Sequence, residues 1–174
     1  KHRNLSMTEH DEDIHKALLY VTGLCARAEM CEQEIREKLR RRKLDTRDAD
    51  RIVGYLTENN YVNEQRYASA YVRMKLRQGD WGPWKIRQGL VGKGLDTSVI
   101  RAAMAEVQAD QYEENALAAA RRKAARLDLD DVSDRQKLYR FLCSRGYESA
   151  TIGRVMHTLG TEVAQADTDA PWEE

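Results

Sequence analysis

The chain has 174 residues, with 29 Lys and Arg against 29 Asp and Glu, so its formal net charge is zero. That length fits one ordinary domain or a short row of small repeated units and leaves little room for two large domains. Charged residues at 33%, aromatics at 7%, 10 Gly and 2 Pro favour long solvated helices over a strand-rich sandwich or barrel.

No run reaches the roughly 18 apolar residues of a membrane span, and residues 1–15 lack the apolar stretch of a secretory signal. A cytoplasmic protein with no membrane partner is expected. Residues 1–6 have the character of a vector-derived extension ahead of Met7. The neutral total hides an uneven distribution. Lys1 and Arg3 face Glu9, Asp11, Glu12 and Asp13, a balance of −2 over residues 1–15. Glu162, Asp167, Asp169, Glu173 and Glu174 give −5 over residues 161–174, which leaves +7 on residues 16–160. A basic body between acidic ends suits a polyanionic partner or an acidic protein surface, and it also serves solubility.

In chain order, Ile14–Ala28 reads as an amphipathic helix with Ile14, Leu18, Val21 and Cys25 on one side. Ile35, Leu39, Lys43 and Leu44 then mark a second helix and its terminal turn. Ala49, Ile52, Val53 and Leu56 follow as the i, i+3, i+4, i+7 stripe of a third. Asn63 can cap the next helix, whose stripe is Tyr67, Ala68, Tyr71, Val72 and Lys75.

The pattern then recurs. A shift of 51 gives Ile86, Leu90, Gly94 and Leu95, followed by Ile100, Ala103, Met104 and Val107. A further 52 gives Leu138, Leu142, Gly146 and Tyr147, followed by Ile152, Val155, Met156 and Leu159. Asp45-Thr46, Asp96-Thr97 and Glu148-Ser149 stand where the second helix of each set needs a cap. Gly94 and Gly146 fit the left-handed end of the preceding helix, and Pro83 fits a first turn. Lys43 occupies the glycine position in the first set, so a different turn is expected there. An Ala- and Arg-rich helix covers about Tyr112–Leu127.

About nine helices and no strand give an all-α class: three tandem three-helix units in an elongated, curved arrangement. The expected organisation is a leading segment 1–30, repeats at 31–80 and 81–130, a two-helix repeat at 131–160, and a frayed acidic tail at 161–174.

Catalysis needs a convergent nucleophile, base and charge stabiliser. The chain has no GxSxG, no glycine-rich phosphate loop, no HExxH and no aspartate cluster with metal spacing. Cys143 and His157 fall on different helices, and Glu34–Lys38 has the spacing of an ordinary helix-surface pair. A zinc site from His10, His15, Cys25 and Cys31 lacks paired ligand spacing. Neither an enzyme nor a cofactor is expected, and the three cysteines are expected to stay reduced, two of them as packing residues.

Binding features are more evident. Arg36, Lys38, Arg40, Arg41, Arg42 and Lys43 put six cations in eight positions, more than helix-dipole complementation requires. Arg73, Lys75 and Arg77 form another group, and Arg121, Arg122, Lys123 and Arg126 a third. Spread along a repeat, such groups can track a filament or a nucleic-acid backbone, although each alone is also an ordinary solvated face. The binding stripe is expected to use Arg40, Arg41, Arg42, Arg73, Arg77, Arg87, Arg121, Arg122 and Arg126. Trp81 and Trp84 flank Gly82-Pro83 among basic residues, where aromatics can stack on bases. Trp84 is assigned to packing between the first two units, and Trp81 is left open between packing and stacking. The tyrosines at 61, 67, 71 and 147 read as core with a polar tip.

Several segments carry a family resemblance: residues 34–39 (EIREKL), 56–68 (LTENNYVNEQRYA), 82–90 (GPWKIRQGL) with Lys93-Gly94-Leu95, and 141–147 (FLCSRGY). In this order and spacing, over roughly residues 14–159, the chain resembles the bacterial RecX family, regulators of the recombinase RecA. It departs from the family pattern at Cys31 (often Ser or Thr), Lys43 (often Gly), Asn63 (often Asp) and Gly89 (often an acid). The resemblance implies three tandem three-helix repeats in a curved, extended molecule that binds in the groove of the RecA–DNA filament; a monomer is expected. It implies damping of ATP hydrolysis, strand exchange and the coprotease activity that triggers the SOS response. A helical-repeat protein that binds single- or double-stranded DNA with modest affinity, and acts on recombination indirectly, is the alternative.

Overall fold

A computed structural model describes residues 8–168 of the chain. Among them are nine helices and no strand. They are α1 (Glu9–Cys25), α2 (Glu32–Arg41), α3 (Thr46–Glu58), α4 (Glu64–Gln78), α5 (Pro83–Val91), α6 (Thr97–Ala105), α7 (Ala109–Ala124), α8 (Val132–Ser144) and α9 (Ser149–Thr168). The tail expected to fray past Gly160 is helical as far as Thr168, and residues 169–174 lie outside the described residues. The first helix starts five residues earlier than its apolar stripe, because Thr8 and Asp11 form a reciprocal capping box at its N-terminus.

The repeated stripes form the cores. Ile35, Ile86 and Leu138 are buried at equivalent places, as are Leu39, Leu90 and Leu142. Ile52, Ile100 and Ile152 face them from the following helix. Each fully buried Leu or Ile contributes about 1.5–3 kcal/mol relative to exposure. Nine buried residues make up the first and last cores and eleven the middle one, and the three cores lie one after another rather than merging, which makes the molecule long. Caps agree with the stripes: Asp45 accepts from the Asp48 amide, Asn63 from Arg66 and Asp96 from Ser98.

The grouping of helices differs in phase from the 31–80 and 81–130 blocks. One core joins α1, α2 and α3 through Val21, Leu39 and Leu56. The next joins α4, α5 and α6 through Val72, Leu90 and Ile100. The last joins α7, α8 and α9 through Ala120, Leu142 and Ile152. The helix assigned as the third of one block therefore packs as the first of the next unit. The 51- to 52-residue period is the same in either phase.

The turn at Lys43 is also not built differently. Lys43, Gly94 and Gly146 all take left-handed backbone, at φ 63°, 75° and 85°. In each turn the following residue (Leu44, Leu95, Tyr147) donates its amide to the carbonyl five positions back, at Leu39, Leu90 and Leu142. Lys43 accepts the conformation glycine has elsewhere, at the steric cost of a Cβ in that region.

Candidate binding surface

The middle helices of the three units, α2, α5 and α8, meet end to start. The Gly82 amide donates to the Arg145 carbonyl (2.7 Å) and the Trp84 amide to the Gly146 carbonyl (3.1 Å), which seats the start of α5 on the end of α8. Amides left free at one helix start thus satisfy carbonyls left free at another helix end. Glycine makes the approach possible: a Cβ on Gly82 would lie 2.5 Å from the Gly146 carbonyl, and one on Gly146 would lie 2.6 Å from the Lys85 backbone.

The start of α2 meets the end of α5 in the same register, but through side chains. The Gln33 amide, with its nitrogen turned toward α5, donates to the carbonyls of Gly92 (3.0 Å) and Lys93 (3.2 Å). Gln33 and Trp84 are 51 residues apart, Lys93 and Arg145 are 52 apart, so the two joints are copies of one another. Cys31 occupies the place of Gly82 and buries its side chain fully in the α4–α6 core. Glu34 completes this joint, accepting from Lys93 Nζ (2.8 Å) and the Tyr67 hydroxyl (3.0 Å). Its hydrogen bond holds the Lys93 ammonium above the usual lysine range, and burial raises the Tyr67 phenol well above its own. Beside it is an open groove of ≈ 930 Å³, lined among others by Arg27, Met30, Gln33, Arg36, Lys38 and Arg40.

The nine expected stripe arginines are all exposed, but they do not form one row. Arg40, Arg41 and Arg42 cluster at the end of α2 and Arg87 lies on α5, both on the end-to-start helices. Arg73 and Arg77 lie on α4, Arg121 and Arg122 on α7, and Arg126 just past its end. Several are engaged. Glu37 accepts from Arg40 and from Arg41 (both 2.9 Å), and these bonds, Arg40 first, pull its carboxyl down to about 2. Arg42 lies 4.3 Å over the Tyr20 ring, Arg73 pairs with Glu106 (3.5 Å), Arg121 with Glu162, and Arg122 with Asp80 (3.6 Å). Among the described residues Arg77, Arg87 and Arg126 make no ion pair. Exposed pairs of this kind are screened by solvent and contribute little to stability, so a partner can displace them.

Of the two tryptophans, Trp84 departs from its expected packing role, and Trp81, left open between packing and stacking, packs. Trp81 packs against the second core with Lys75 Nζ 4.2 Å and Lys85 Nζ 5.2 Å from its ring. Trp84 is 61% exposed, because backbone at Gly82 and Gly146 closes the joint and leaves no space for an indole. Tyr67 and Tyr147 are buried, Tyr71 is half-buried, and Tyr61 is 42% exposed and stacked on Tyr55. Of the cysteines, Cys31 is buried, Cys25 half-buried and Cys143 exposed. Among the described residues no three His, Cys, Asp or Glu side chains converge as a metal site, and no helix is long and apolar enough to cross a membrane.

Family models describe the same units that the cores define. Residues 63–104 match the second three-helix domain of RecX, and residues 110–156 match the third. A regulatory protein RecX of Legionella pneumophila is 32% identical over 140 residues, covering 80% of this chain and 92% of that protein. The chain belongs to the RecX family. A Stenotrophomonas maltophilia regulatory protein RecX is 33% identical over 132 residues, 76% of this chain and 80% of its own. A longer Clostridium acetobutylicum RecX is 30% identical over 138 residues, and the chain spans 63% of its length. The crystal structure of RecX from Lactobacillus salivarius superposes with a TM-score of 0.74 at 22% identity, covering 86% of this chain and 98% of that one, a likeness of fold. RecX family models thus account for the second and third units, and two of the departures from the family pattern have local reasons. Gly89 faces the Tyr71 hydroxyl and the Trp81 ring, where a Cβ would collide. Cys31 makes no capping bond but fills the joint.

Proposed function

We propose that this chain is a regulatory protein, not an enzyme, that binds the RecA nucleoprotein filament in the cytoplasm as a monomer and inhibits the recombinase, ATPase and coprotease activities of RecA. Such inhibition would modulate DNA repair and the SOS response. The observation that carries the reading is the end-to-start succession of α8, α5 and α2. It gives the molecule an extended surface with exposed cations spread over all three units, rather than a pocket where a small substrate could be enclosed. Membership in a family of regulatory proteins supports it.

The test is RecA ATPase on single-stranded DNA with this protein at substoichiometric amounts. Inhibition well below one copy per RecA is expected. Charge reversal at Arg41/Arg42 and at Arg121/Arg122 is expected to weaken inhibition while helicity stays unchanged. Full inhibition by both variants would remove these arginines from the contact surface.

The second reading is a DNA-binding repeat whose effect on recombination is indirect. Arg77, Arg87 and Arg126, exposed and without an ion pair among the described residues, favour it. Tight DNA-only binding that falls steeply with salt, with no effect on RecA, would make it the better reading.

A further inference from the structure

Trp84 is the most exposed large apolar side chain among the described residues, yet its backbone is firmly held. Its amide donates to the Gly146 carbonyl, so the indole is presented from a fixed point at the joint of α5 and α8. An exposed indole on a held backbone offers a large π-face with few bonds left to order on binding.

Its surroundings choose the ligand. From Trp81 to Leu95 the chain carries Lys85, Arg87 and Lys93 and no acid. Arg87, Gln88 and Val91 follow Trp84 at i+3, i+4 and i+7, so they share its side of the helix, and all are exposed. On α8 the positions one repeat later than Arg87 and Gln88 are Tyr139 and Arg140, also exposed. Aromatic faces set among cations, with no carboxylate on α5, match unstacked bases on a phosphate backbone. Duplex DNA keeps its bases stacked and offers no such face. An apolar protein surface would gain from Trp84 and Val91 but would leave Arg87 and Arg140 without partners.

We infer that Trp84 is a stacking platform for a base of single-stranded nucleic acid, with Arg87 and Arg140 on the neighbouring phosphates. This deepens the nucleic-acid side of the proposed function and rests on it for the choice of ligand.

The test uses the full chain and a fluorescein-labelled dT15 oligonucleotide, with anisotropy read across a salt series. Trp84→Ala is expected to weaken dT15 binding about tenfold or more, and Trp84→Phe to stay within about threefold of the parent. The slope of log affinity against log salt should be unchanged in Trp84→Ala and lowered by about one in Arg87→Ala, because only the second removes a phosphate contact. A 15-base-pair duplex should be insensitive to Trp84→Ala.

No dT15 binding by the parent at low salt, or equal binding by parent and Trp84→Ala, overturns the inference. So does a Trp84→Ala variant that keeps dT15 affinity and loses RecA inhibition, since the indole would then contact protein. Trp84-dependent dT15 binding by a chain that leaves RecA ATPase untouched would sink the filament reading and leave this one standing.

Discussion

Gly82 and Gly146 stand in backbone contact across the joint between the second and third units, with the amide of Gly82 on the carbonyl of Arg145 at 2.7 Å. Gly82 has an ordinary φ of −80°, so alanine there is opposed by collision alone. Gly146, at φ 85°, would suffer collision and backbone strain together. Gly82→Ala should cost about 1–3 kcal/mol, the usual cost of overpacking, and Gly146→Ala more. Urea unfolding of the two variants checks the order. A Gly82→Ala chain as stable as the parent would mean the joint opens without penalty.

Lys43 makes the opposite case. It adopts the left-handed turn that glycine forms at positions 94 and 146, and its side chain is exposed. Replacing it with glycine removes a strain of about 1–2 kcal/mol, offset in part by the greater freedom of glycine in the unfolded chain. Lys43→Gly should therefore raise stability by roughly 0.5–1 kcal/mol, seen as a higher urea midpoint at unchanged slope. A lower midpoint would show that the lysine side chain makes a contact worth more than the strain.

Both glycine positions and the lysine are visible in the sequence, and they show where its legibility ends. The apolar stripes identify the cores because burial imposes a 3.6-residue period on each helix, and that period survives in residues such as Ile35, Ile86 and Leu138. The period is silent on which three helices share a core. That choice depends on packing between residues far apart, as when Val72 of α4 meets Ile100 of α6. The same limit hides most of the surface. Arg73–Glu106, Arg121–Glu162 and Arg122–Asp80 join residues more than thirty positions apart, and no local pattern announces them. The exposure of Trp84 follows from the Gly82–Gly146 contact, which only the repeat register of the two joints could have suggested.

Glu37 offers a direct probe of the basic end of α2. Its carboxyl sits near 2 because Arg40, then Arg41, donates to it. A depressed acid stabilises the fold above its unfolded value of about 4.3, and the contribution fades as pH falls toward 2. Carbon-detected NMR of the Glu37 carboxyl should show this low midpoint, and Arg40→Ala should move it upward. Glu37 is exposed, so global stability should change little. If titration of Glu37 in the parent follows the unfolded value, these arginines are free for a partner without displacement.

At the alkaline end the tyrosines govern. Burial pushes Tyr112 and Tyr147 up to about 12 and raises Tyr67 further, so the fold holds their neutral phenols while the unfolded chain ionises near 10. Lys93 acts with the same sign, its ammonium favoured in the fold by Glu34. These contributions are complete below pH 10 and are lost as pH rises from 10 toward 12. Thermal unfolding across that window should show a falling midpoint. Tyr147 isolates one share of the effect, because its buried hydroxyl has no hydrogen-bond partner among the described residues. Tyr147→Phe removes a group that is solvated when unfolded and unpaired when folded, a mismatch of about 1–3 kcal/mol. The variant should be at least as stable as the parent at pH 7 and should lose less stability between pH 10 and 12. Destabilisation by more than about 1 kcal/mol at pH 7 would mean that water or a partner group satisfies the hydroxyl after all.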